Sequence, residues 1–131
     1  KLANFNVSTS AVSTVQTAIV TGSTGTVNKA AVVTLYPILL LSVSTSASIV
    51  QGGNNLVGTI AMTTTAPSGG ANCLLSSNRA YLSLPGMVSV PAGQTSRDFT
   101  IVTSPVASTG IATITARRGP VTKTAVVTVT P

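Results

Sequence analysis

From Ile38 to the C-terminus, apolar and polar positions alternate in short runs separated by Gly, Pro, Asn and Ser, the pattern of half-buried strands. Ile38–Val43 and Ser48–Val50 open the series, and a Gln51–Asn55 turn follows. Leu56–Thr63 sets Leu56, Gly58, Ile60 and Met62 on one face, and Ala71–Ser76 does the same with Ala71, Cys73 and Leu75. Ala80–Leu84 groups Ala80, Leu82 and Leu84, while Met87–Val90 turns Val88 and Val90 inward. Thr95–Thr103 aligns Arg97, Phe99, Ile101 and Thr103, of which Phe99 and Ile101 form its core contribution. The last two runs, Ile111–Ala116 and Val121–Thr130, bury Ala112, Ile114 and Ala116, then Ala125, Val127 and Val129. No run has helical periodicity. Seven to nine short strands with Gly/Pro turns predict an all-β sandwich.

The first 37 residues carry three strand-like runs, Phe5–Thr9, Thr17–Thr21 and Val27–Tyr36. They repeat the end of the chain. Phe5–Pro37 aligns without a gap on Phe99–Pro131 at an offset of 94 residues, with 14 of 33 positions identical. A period of that length is the size of one immunoglobulin-type sandwich. Residues 38–131 are therefore expected to form a complete sandwich, and residues 1–37 the C-terminal strands of an incomplete unit. Three strands cannot cover both sheets, so a preceding domain or a neighbouring subunit is expected to complete them. The preceding domain is favoured, because residues 38–131 already contain their own copy of these strands. Phe5, Val7, Val32, Val33 and Tyr36 mark the expected assembly segment. The short junction Tyr36-Pro37-Ile38 implies closely coupled units in series.

Apolar residues make up 44% of the chain, but only 6% are charged and 3% aromatic. Hydroxyls supply the polar surface, with 16 Ser and 22 Thr. The net charge of +6 sets Lys1, Lys29, Arg79, Arg97, Arg117, Arg118 and Lys123 against Asp98 alone. These bases are scattered and lack interleaved aromatics, which argues against a nucleic-acid partner. The apolar run Pro37–Leu41 is too short to span a membrane. A start at Lys1 rather than Met implies either a removed leader or a window on a longer chain.

The inventory of reactive side chains excludes most catalysis. Without His no Ser-His-Asp or Cys-His arrangement can form, and one acid cannot supply a carboxylate pair. A Ser–Lys dyad through Lys123 has no surroundings in the sequence to activate it. No enzyme, cofactor or metal site is expected. Cys73, the sole cysteine, reads as a buried core thiol, and Arg117-Arg118 as a solvated turn. Asn6-Val7-Ser8 is the one N-glycosylation sequon, and Thr63, Thr64 and Thr65, like Ser8-Thr9-Ser10 and Ser42–Ser48, form a hydroxyl cluster that O-glycosylation could use. Ordinary outward-facing strand positions explain the same hydroxyls.

Thr65–Gly70 (TAPSGG), Cys73–Asn78 (CLLSSN), Val88–Gly93 (VSVPAG), Phe99–Ile101 and Ala112–Ala116, in that order, resemble the Ig-like (Big-type) repeats of bacterial secreted and cell-surface proteins. The resemblance covers nearly all of residues 38–131, and residues 5–37 resemble the last third of the same unit. It implies an Ig-like sandwich at the cell surface or outside the cell, used as a spacer, adhesin or fibre module in tandem. It implies no catalytic residues. The expected function is thus a structural segment of an extracellular filament, pilus-like fibre or surface array that self-associates. The alternative is an accessory carbohydrate-binding or cell-surface spacer of a larger secreted protein, for which exposed aromatics are few.

Overall fold

A computed structural model describes residues 2–131; Lys1, and the expectation attached to it, lies outside the described residues. The chain separates into two compact units, one ending at Pro37 and the other running from Ile38 to Pro131. Both are built of strands.

In the first unit β1 (Gln16–Thr24) and β2 (Val27–Leu35) form an antiparallel hairpin, paired from Gln16↔Leu35 to Thr24↔Val27. Val and Thr populate both strands and Ile joins them in β1, as pleated backbone favours. Gly25 and Thr26 make the two-residue loop. Gly25 has φ +56° and Thr26 does not have positive φ, the arrangement of a type II′ turn, whose twist matches that of the strands. The expected strand over Phe5–Thr9 does not form. Its counterpart around Phe99 is held between two neighbouring strands, and residues 2–37 contain no strand in either place.

The second unit is a sandwich of two sheets. Its strands are β3 (Leu40–Thr45), β4 (Ile49–Gln51), β5 (Asn55–Met62), β6 (Ala71–Ser77), β7 (Leu82–Ser83), β8 (Met87–Val90), β9 (Ser96–Thr103), β10 (Gly110–Arg118) and β11 (Val121–Thr130). One sheet runs β3-β5-β9-β7, the other β4-β11-β10-β6-β8. The chain changes sheets between β3 and β4: β3 pairs antiparallel with β5, whereas β4 joins β11 in parallel.

Each strand turns alternate residues inward. Leu40, Ile60, Ile101, Ile114, Val90, Val127, Val129 and Cys73 are the largest side chains with almost no exposure. Leu56, Met62, Ala71, Leu75, Leu82, Val88, Phe99, Ala112 and Ala116 complete most of this aliphatic core. One detail departs from the alternation, and one inward position is polar. The run expected over Ala80–Leu84 shrinks to Leu82–Ser83, because Arg79–Leu82 closes a turn through a Leu82 N–H to Arg79 C=O bond and leaves Ala80 exposed. Thr103 is buried with the core, although its side chain is polar.

Candidate assembly surface

The hairpin β1–β2 is the repeat of β10–β11, pair for pair. Adding 94 to both partners of Gln16↔Leu35 gives Gly110↔Val129, and the correspondence holds through Thr24↔Val27 and Arg118↔Val121. The turns match as well, since Gly119 takes φ +55° where Gly25 takes +56°.

In the sandwich this hairpin places Ala112, Ile114, Ala116, Val127 and Val129 against the opposite sheet with no exposure. The equivalent positions in β1 and β2 are Ala18, Val20, Gly22, Val33 and Leu35, with Ala31 standing for Ala125. Ala18, Gly22 and Ala31 are exposed, and Val20, Val33 and Leu35 are only half-buried. A core-type surface thus lies largely open to water. On the reverse face the cross-strand pair Ile19 and Val32 is also exposed, at 68% and 66%. The rest of that reverse face is mostly polar, with Thr17 paired to Thr34 and Ser23 to Asn28, as a solvated sheet face commonly is.

Of the predicted assembly residues, Val33 lies on the core-like face and Val32 on the reverse. Phe5 lines a groove of about 400 Å³ with Val20, Gly22, Lys29 and Ala31, yet its own ring stays 74% exposed. Val7 and Tyr36 are exposed and do not line that groove. Sequence reasoning missed Ala18, Val20, Gly22, Ala31 and Leu35 on this face. The signal was present: the 94-residue offset carries the inward set of β10 and β11 onto them.

The other candidate sites resolve differently. Arg118 is not a solvated turn residue: its guanidinium donates to Asn72 C=O at 2.8 Å and to Ile38 C=O at 3.2 Å, tying the starts of two chain segments to the end of β10. Arg117 donates to Gly119 C=O within the turn. Cys73 is buried, and desolvation raises its thiol pKa, with the Arg118 charge pulling partly the other way. Asn6 is exposed and outside any strand. Thr63, Thr64 and Thr65 are exposed, but the Thr63 hydroxyl is engaged with the backbone of Leu39, accepting from its N–H at 3.1 Å. Pro91, Ala92, Gln94, Ser96, Arg97 and Asp98 line an open polar groove of about 680 Å³, where Asp98 accepts a 2.7 Å bond from the Thr59 hydroxyl. Among the described residues no three His, Cys, Asp or Glu side chains gather as a metal site would require, and no helix is long and apolar enough to cross a membrane.

No protein-family profile and no curated protein sequence matches this chain. Solved structures do. The chain is similar to domains 4 and 5 of the S-layer protein SbsC, with TM-score 0.52 and 20% identity, over 89% of this chain and 59% of that one. It is also similar to the D00-D0 domain of intimin, with TM-score 0.54 and 6% identity, over 79% of this chain and 57% of that one. The chain therefore spans less than two thirds of either structure. At such identities the likeness is one of fold, and that fold is an all-β, Ig-like sandwich.

Proposed function

We propose that this chain is a structural segment of a cell-surface or extracellular array, filament or pilus-like fibre built from Ig-like sandwiches in series. The observation that carries the reading is the hairpin β1–β2, which repeats β10–β11 pair for pair and leaves its core-type face open. An open face of Ala, Val and Leu favours burial, at about 25 cal/mol per Å² of apolar area removed from water. The likeness to sandwich domains of an S-layer protein and of intimin supports the same reading, as does the resemblance to Big-type repeats. The chemistry of the chain also fits a scaffold, because its polar surface is mostly Ser and Thr and its acids number one.

Negative-stain electron microscopy of the purified protein, extended to its longer natural polypeptide where one exists, tests this. Regular filaments or sheets are expected. Monodisperse particles that are instead retained by an insoluble polysaccharide would replace the structural reading with the carbohydrate-binding spacer.

A further inference from the structure

The unpartnered face of the hairpin can be assigned an occupant, because the molecule contains a worked copy of the same interface. Resting on the structural reading above, we infer that Ala18, Val20, Gly22, Ala31, Val33 and Leu35 are the core face of a second Ig-like sandwich, whose other strands lie on polypeptide joined to the N-terminal side of the hairpin.

Three observations carry it. The two hairpins have the same register and turn, so side chains at equivalent positions occupy the same places relative to the backbone. The core-facing residues are nearly equal in volume: Ala18, Ala31 and Val33 are identical to Ala112, Ala125 and Val127. Val20 for Ile114 removes a methylene and Gly22 for Ala116 a methyl, while Leu35 for Val129 adds a methylene. Volume-conserving exchanges of this kind are the ones a core accepts. Finally, the sandwich of a second copy has no vacancy to offer, since residues 38–131 already hold β10–β11 in the place the hairpin would take.

The template also specifies the pairing. In the sandwich β10 pairs antiparallel with β6 through Ile114–Arg117, and β11 pairs in parallel with β4 through Thr128–Thr130. The equivalent edges are Val20–Ser23 on β1 and Thr34–Tyr36 at and just past the end of β2. One position differs in a telling way. Gly110 has the Tyr81 hydroxyl 2.5 Å from where a Cβ would stand, and its equivalent is Gln16. The missing strands therefore carry a residue smaller than Tyr at the position corresponding to Tyr81.

The test fuses residues 38–98 directly ahead of Phe5 in the full chain, with Gln16→Gly to admit the copied tyrosine. Completion of the second sandwich should slow hydrogen exchange of the Val20 and Val33 amides at least about 100-fold relative to the unfused chain. Val33→Asp in the fusion should abolish that protection and leave residues 38–131 unchanged. Equal exchange with and without the fused strands would overturn the inference. A graft guards against a fusion that fails for unrelated reasons: residues 110–130 replaced by 16–36, again with Gln16→Gly, should still give a cooperative thermal transition. A non-cooperative graft would count equally against a core role for this face. Neither result depends on whether filaments form, so failure here and failure of the array reading are separable.

Discussion

The ring of Phe99 occupies the space that a side chain on Gly58 would need. The two are direct cross-strand partners on β9 and β5, and a Cβ built on Gly58 would collide with the edge of the Phe99 ring. Gly58 is buried because the aromatic ring covers it. Gly58→Ala is expected to lower the stability of residues 38–131 by about 1–3 kcal/mol through overpacking. Phe99→Ala should cost about 3–5 kcal/mol through the cavity it leaves. Thermal denaturation measures both. Phe5→Ala, at the repeat position but 74% exposed, should leave that transition within about 0.5 kcal/mol.

Thr103 is a buried hydroxyl that holds a turn. It donates to Asn54 C=O at 2.7 Å and accepts from Gly53 N–H at 3.1 Å. Thr103→Val keeps the shape and strands both backbone groups, for an expected loss of about 1–3 kcal/mol in chemical denaturation. Thr103→Ser should recover most of it by restoring the oxygen.

Arg118 ties Ile38 and Asn72 to the end of β10 through a planar group with donors in two directions. Arg118→Met retains much of the stem and removes both bonds, with an expected cost of about 1–2 kcal/mol, moderated because the site is only half-buried. Arg118→Lys should not restore full stability, because one ammonium cannot reproduce the fork. Amide exchange near Ile38 should quicken in both variants.

Cys73 gives the fold a dependence on alkaline pH. Its folded pKa lies above the ordinary thiol value, near 9, because burial disfavours the thiolate. Above that value the unfolded chain releases the thiol proton while the native state retains it, so stability from this group is complete below about pH 9 and declines as pH rises further. The Cys73→Ala variant should lack this component, and the difference between the two pH–stability curves isolates it. Native protein should react with a thiol reagent only as fast as it opens, with labelling accelerating in step with added denaturant.

How much was legible in advance depended on local periodicity. Leu56, Gly58, Ile60 and Met62, and likewise Ala71, Cys73 and Leu75, fall inward as their alternation predicts, since period two is a property of each strand alone. Pairing partners are not local, and this is where expectation and structure part. Phe5–Thr9 has the pattern of the strand around Phe99, yet a strand exists only where another chain segment offers hydrogen bonds. Arg118 looked like surface because its partners are two distant backbone carbonyls, 80 and 46 residues away. The hairpin face was half visible: Val32 and Val33 stood out as adjacent apolar residues, and alternation puts them on opposite faces, but which of the two is core-like follows only from carrying the inward set of β10 and β11 across the repeat.

The parallel pairing of β4 with β11 bears on how residues 38–131 would respond to tension. Ser48 C=O accepts from Thr128 N–H and Gly52 N–H donates to Thr130 C=O, each at 2.8 Å, near the end of the last strand. Drawing Ile38 and Pro131 apart along the strands would slide β4 past β11 and strain these bonds together, instead of opening them one after another as in a zipper. The expected response of this wiring to such a pull is a single shear step in which β4 and β11 part at once.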